Sequence, residues 1–203
     1  MNRKKLILGY GHYGNQTSAY IREDRLVTPD ITKEEKESIA DMFSIDDLEL
    51  TLVDIKDPPT VNPANNVKII KSDMIKFLEN TSEKYDYIVM DNVIEHVKWT
   101  DIPYLLYLLK TVGYGNHTKL LIVSPDFNYY VTKYKKLDGI KSLDDITLLT
   151  KMHAAILNER SDPHCSLWSD ELAEYYFNEN LWKKIISTTS IHGEYVGLYI
   201  LNS

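Results

Sequence analysis

Short apolar runs recur along the chain, and each ends at a polar or acidic residue before a stretch of helical period begins. Residues 5–8 form the first run and feed Gly9. The second covers 50–55 and carries Asp54 near its end. The third, 67–70, stops at Ser72-Asp73-Met74. The fourth, Tyr87-Ile88-Val89-Met90, stops at Asp91 and Asn92, and the fifth, 119–123, stops at Ser124-Pro125-Asp126. Such short runs of bulky side chains predict parallel strands buried on both faces. Between them, 75–80 predicts a short helix. Thr100 or Asp101 can cap another, with Pro103 in its first turn and Leu105, Leu106, Leu108, Leu109 and Val112 as its apolar face. Gly113 and Gly115 can stop it. Strands alternating with helices imply an α/β fold of three layers around a doubly wound, mostly parallel sheet.

The C-terminal third breaks this rhythm. Ser142-Leu143-Asp144-Asp145 reads as a capping box, followed by Ile146, Leu149, Met152, Ile156 and Leu157 at helical spacing. Ser169-Asp170-Glu171 starts a further helix reaching about Asn178. Residues 183–190 and 195–201 are β-like, with His192-Gly193-Glu194 as the turn between them. Two strands joined by so tight a turn are antiparallel. A dehydrogenase-type Rossmann sheet stays parallel to its end, so this hairpin argues against that class. Nearer the N-terminus, Thr32-Lys33-Glu34-Glu35 is a capping box for a helix to Phe43. Residues 15–30 read equally as a short helix or as a hairpin.

Composition narrows the field. A chain of 203 residues, 43% hydrophobic and 26% charged, fits one domain with a sizeable core. Lys and Arg number 23 against 30 Asp and Glu, for a net charge of −7. That opposes a nucleic-acid partner or an anionic membrane, although Lys133, Lys135 and Lys136 make a local basic patch. The lone cysteine, Cys165, allows no internal disulfide and is consistent with a cytoplasmic location. The apolar run before Gly9 is too short for a signal peptide or a membrane span. His96, His117 and Glu95 lack metal-ligand spacing.

Gly9-Tyr10-Gly11-His12-Tyr13-Gly14 matches GxGxxG directly after a strand, a pattern that lets backbone approach a ligand closely or simply makes a tight turn. Asp54 closes the second run, with Asp57 and Asp30 as rivals, and it lies farther from the glycines than the roughly 20 residues usual in dinucleotide folds. Asp73 is placed to cap a helix as readily as to meet a ligand. Asp91 and Asn92 fall outside the carboxyl end of a strand, where open α/β sheets bind ligands.

Taken in order, these elements resemble the class I S-adenosylmethionine-dependent methyltransferases. Residues 85–97 are similar to that family's fourth strand and its Glu-His-Val turn. His164-Cys165-Ser166-Leu167-Trp168-Ser169-Asp170-Glu171-Leu172 looks like its His-X-X-X-Trp-(Ser/Thr)-X-Glu-Leu segment. The resemblance implies a Rossmann-like methyltransferase sheet with one antiparallel strand in the C-terminal hairpin, S-adenosylmethionine as cofactor and a small-molecule acceptor. It implies one domain over 1–203, with 15–48 as an extended first crossover and 127–170 as a substrate-side insertion. It assigns Gly9, Tyr10 and Gly11 to the cofactor's backbone cradle, Asp54 to the ribose hydroxyls, Asp73 to the adenine amino group and Met74 to the purine face. Asp91 and Asn92 meet the methionine moiety or the substrate. His164, with His153, is the candidate base beside Tyr129 and Tyr130. The chain departs from the family at Ile7, where an acid is usual, and at Gly113-Tyr114-Gly115-Asn116, where Lys-Pro-Gly-Gly is usual. A binding protein that kept the fold without catalysis, and an NAD(P)-dependent oxidoreductase, are the alternative readings.

Overall fold

The computed structural model describes residues 3–9, 31–43, 48–55, 66–135, 165–166, 168–177, 181–191 and 193–202. The expected helix over 142–157, the ambiguous stretch 15–30, and Tyr10, Gly11, Asp30, Asp57, His153 and His164 lie outside them.

Seven strands form one sheet: β1 (Arg3–Leu8), β2 (Leu48–Asp54), β3 (Val67–Lys71), β4 (Tyr87–Asp91), β5 (Lys119–Pro125), β6 (Trp182–Thr189) and β7 (Glu194–Leu201). Their spatial order is β3-β2-β1-β4-β5-β7-β6. The pairings β3–β2, β2–β1, β1–β4 and β4–β5 are all parallel. The last strand, β7, is antiparallel to both of its neighbours and sits between β5 and β6. The hairpin read from the sequence therefore closes the sheet with its second strand inside and its first strand at the edge.

Among the described residues, five helices flank the sheet: α1 (Lys33–Phe43), α2 (Met74–Asn80), α3 (Ile102–Thr111), α4 (Phe127–Lys135) and α5 (Asp170–Tyr176). At the start of α1 the Glu35 amide donates to Thr32 Oγ1 at 3.2 Å and the Thr32 amide donates to the Glu35 carboxylate at 2.7 Å, a reciprocal capping box. Ser169 starts α5 by accepting from the Leu172 amide at 3.3 Å. Helix α4 was not expected. Asp126 caps it, accepting from the Tyr129 amide at 3.0 Å, so the expected insertion after β5 begins as a helix.

Alternation along β1 distributes its side chains to two cores. Leu6 and Leu8 join Phe77, Leu78, Leu105, Leu106, Leu109 and Trp168 on the face covered by α2, α3 and α5. Ile7 joins Ile39 and Met42 of α1 on the other face. Trp168 is fully buried. Its ring centroid lies 5.4 Å from that of Tyr176 and 6.2 Å from that of Tyr195, so it joins α5 to β7. The Trp168 segment thus packs beneath the hairpin. Among the described residues, no helix is long and apolar enough to cross a membrane.

Lys5 is wholly buried on β1. Burial pushes its ammonium down from 10.5 to about 8, with the carboxylate of Asp41 on α1 opposing the shift. Folding therefore lowers this pKa, and between about pH 8 and 10.5 the unfolded chain holds more protons than the folded one. Stability from this group must rise with pH across that window. Replacement Lys5→Met should remove the rise and stabilise the protein most at or below pH 8; urea titrations at pH 7 and pH 10 measure the difference. Truncation of the other buried anchor, Trp168→Ala, should cost about 3–5 kcal/mol. Tyr175→Ala, at a side chain 80% exposed, should stay within about 0.5 kcal/mol in the same titration.

Candidate functional site

The carboxyl ends of β1 to β4 meet where the strand order reverses, between β1 and β4, the switch point at which α/β sheets bind ligands. A cavity of about 350 Å³ opens there. Its base comes from the strand ends: Gly9 after β1, Val53, Asp54 and Ile55 at β2, Ser72 and Asp73 after β3, and Asn92 after β4. Backbone hydrogen bonds hold these ends together. The Gly9 amide donates to Val53 O and the Ser72 amide to Asp54 O, both at 2.8 Å. Asp54 is 8% exposed, so its carboxylate is a largely desolvated wall. Asp73 does two things at once: it lines the cavity and caps α2, accepting from the Lys76 amide at 3.0 Å.

The wall opposite is built by the turn after β4. Asn92 takes a left-handed backbone with φ of 50°. Its amide donates to Val123 O at 2.8 Å, and its side-chain amide donates to Asp91 Oδ1 at 2.7 Å. Val93 then packs onto Gly9, and a single helical turn, Ile94–His96, brings His96, Val97 and Lys98 to the cavity, followed by Asp101. Gly9 has φ of 73°, and a Cβ there would lie 2.4 Å from Val93 Cγ2. Glycine is needed at this point by its backbone and by the close approach of Val93.

Of the site residues read from the sequence, Gly9, Asp54, Asp73, Met74 and Asn92 all line this one cavity. Asp91 lies at the end of β4, held to Asn92, and is not among the lining residues. Tyr129, an acceptor-side candidate, donates its hydroxyl to Ile191 O at 3.0 Å and so ties α4 to the β6–β7 turn. Burial raises the Tyr130 hydroxyl above its ordinary pKa of 10.0. The sequence reading missed Ile55, Ile75, Val93, Val97 and Lys98 as lining residues, and it took His96 as a family marker and Asp101 as a helix cap. Asp101 sits at the cap position of α3 without making a side-chain capping bond. An acid at a helix start without a Glu or Gln three residues on was the available signal.

Glu95 is 3% exposed. It accepts from Ser124 Oγ at 3.2 Å, and its carbonyl accepts from the amides of Cys165 and Ser166 at 2.6 and 3.0 Å. The Glu-His pair therefore splits, with Glu95 built into the frame and His96 at the cavity. Among the described lining residues, three carboxylates, from Asp54, Asp73 and Asp101, against the one ammonium of Lys98 make a negative surround suited to a ligand carrying positive charge. Among the described residues, no group of His, Cys, Asp and Glu is arranged to hold a metal ion.

Neither a family model nor a curated protein matches the sequence. Solved structures do match the fold. A methyltransferase of calicheamicin biosynthesis with bound S-adenosylhomocysteine superposes with a TM-score of 0.54 over 98% of this chain and 49% of its own, at 11% identity. The mitomycin 7-O-methyltransferase gives 0.55 over 99% and 49%, at 10% identity. The magnesium protoporphyrin IX methyltransferase from Synechocystis PCC 6803, also with bound S-adenosylhomocysteine, gives 0.53 over 98% and 74%, at 10% identity. The fold is that of the class I methyltransferases. The chain spans about half the length of the first two and three quarters of the third. At these identities the likeness is one of architecture, and the methyltransferase sheet is what it shares with them.

The packing of Val93 on Gly9 is open to direct test. Gly9→Ala should destabilise the protein by about 2–4 kcal/mol, from a strained left-handed residue plus overpacking. Adding Val93→Ala should return part of that loss in urea titrations, because only the steric part is relieved.

Proposed function

We propose that this chain is an S-adenosylmethionine-dependent methyltransferase acting on a small-molecule acceptor. The observation that carries the reading is the desolvated Asp54 carboxylate at the end of β2, facing a cavity at the switch point of a methyltransferase sheet. The donor set fits the cofactor. Two carboxylate oxygens on Asp54 suit a pair of vicinal hydroxyls. Asp73 suits an exocyclic amine, and Ile55, Met74, Ile75 and Val97 offer apolar walls to a flat ring. The acidic field suits a sulfonium.

The bound cofactor would supply an electrophilic methyl group. The chain's own residues would hold that methyl in line with the acceptor atom, and most of the rate would come from this placement. Asn92 lines the cavity at the end of β4, where the methionine moiety or the acceptor would sit, with Asp91 behind it holding its side chain. The insertion 127–170 would cover the acceptor, with His164 or His153 as a base for a nucleophile that must lose a proton. The crossover 15–48 would cover the cofactor side. Ile7, which stands where the family usually has an acid, lies buried on the α1 face, so the chain must hold the cofactor's amino acid end by other groups.

The inserted antiparallel β7 opposes the NAD(P) reading, and ligand-induced stabilisation separates the two. S-adenosylhomocysteine at 100 times its dissociation constant should stabilise the protein by about 2.7 kcal/mol. Stabilisation by NAD, with none from millimolar S-adenosylhomocysteine, would overturn the proposal. Binding with no turnover on any acceptor would favour the fold-only binding protein. In calorimetric titrations, Asp54→Ala should weaken S-adenosylhomocysteine by about 1.5–3 kcal/mol, the scale of hydrogen bonds to a charged group, and Asp57→Ala should leave it unchanged.

A further inference from the structure

Asn92 is the sole non-glycine with positive φ among the described residues. Asparagine tolerates the left-handed region better than most side chains, and β-branched or bulky residues do not. Its position gives that tolerance a use. One residue earlier the chain is still β4, in register with β5 at Asp91 and Val123. The Asn92 amide continues the ladder with a 2.8 Å bond to Val123 O. The left-handed step then turns the chain out of the sheet plane. Val93 lands on Gly9, and the Ile94–His96 turn places the Glu95 carbonyl beneath the amides of Cys165 and Ser166. The turn after β4 is thereby set against Gly9 at the cavity and fastened, through the Glu95 carbonyl, to the amides of Cys165 and Ser166, which are not among the cavity's lining residues.

We infer that Asn92 is the positioning residue of this site, acting through its left-handed backbone, which sets the Val93–Asp101 wall against Gly9 and fastens it to the amides of Cys165 and Ser166. Its side-chain bond to Asp91 is secondary: that bond fixes a carboxylate outside the lining of the cavity, whereas the backbone turn fixes the wall itself. The geometric claim stands independently of the methyltransferase proposal, and only its ligand readout rests on that proposal.

The test compares Asn92→Gly with Asn92→Ala in the full chain. Glycine keeps the left-handed backbone and deletes the side chain; alanine deletes the side chain and strains the backbone. Hydrogen exchange of the amides of Cys165 and Ser166 reports the wall directly. Asn92→Gly should exchange at the wild-type rate, and Asn92→Ala should exchange roughly five- to thirtyfold faster. Affinity for S-adenosylhomocysteine should be weaker in Asn92→Ala than in Asn92→Gly by a similar factor, because only alanine strains the wall. Equal damage from both variants would show that the side-chain amide matters instead, and no effect from alanine would remove Asn92 from the role. Should Asn92→Ala fail to fold, Asn92→Gly decides alone: wild-type exchange supports the inference and accelerated exchange overturns it. If the wild type binds no S-adenosylhomocysteine, the methyltransferase reading falls and the exchange comparison still decides this one.

Discussion

The Glu95 carbonyl receives two backbone amides from a segment 70 residues further on, and the same residue's carboxylate receives the Ser124 hydroxyl. Both groups are out of water, so each bond made there replaces one that an unpaired buried group would otherwise lose. This junction fastens the end of β4 to the end of β5 and to Cys165 and Ser166, ahead of Trp168. Ser166 extends it, donating to Ile94 O at 3.2 Å and accepting from Trp168 Nε1 at 3.1 Å. Trp168 is in turn the central side chain between α5 and β7. The cavity wall, the end of β5 and the hairpin core therefore share one small hydrogen-bonded frame.

The ends of the sheet show a different economy. Among the described residues β3 and β6 are the outer strands, and each presents lysines: Lys68 and Lys71 on β3, Lys183 and Lys184 on β6. A register shift between Lys184 and Ile186 further disturbs the β6 edge. Charge and irregularity of this kind discourage an unwanted neighbouring strand. The Lys184 ammonium is also held by Asp170 and Glu174 of α5 at 3.0 and 2.7 Å, so the edge is tied down from above.

Much of the sheet could be read from the sequence because each strand ends where an apolar run meets an acid or an amide. Asp54, Asp73 and Asn92 mark those ends, and strand geometry alone carries them to one side of the molecule. The second wall of the cavity had no such local mark. Val93, Val97 and Lys98 reach it through the left-handed turn at Asn92, a backbone state that composition and periodicity do not encode. Helix α4 escaped for a related reason. Phe127, Asn128, Tyr129 and Tyr130 have modest helix propensity, and what starts the helix is Asp126, whose carboxylate also accepts from Thr189 Oγ1 at 2.5 Å. A cap that is anchored to a strand more than 60 residues away is a tertiary fact. Residue 101 was read only in part: it holds the cap position of α3 as expected, and it also lines the cavity.

The insertion of β7 between β5 and β6 has a consequence for the order of events as the chain forms. Until residues 194–201 pair, β5 has no partner on its outer side, and its run Leu120-Leu121-Ile122-Val123 is a bare hydrophobic edge. The earlier strand β6 cannot cover it, because in the native sheet β6 reaches β5 only through β7. That apolar edge is thus exposed until residues 194–201 have been made, and long-range pairings of this kind form late. Loss of β7 to a protease would release β6 with it and leave a five-stranded parallel sheet with the apolar edge of β5 uncovered.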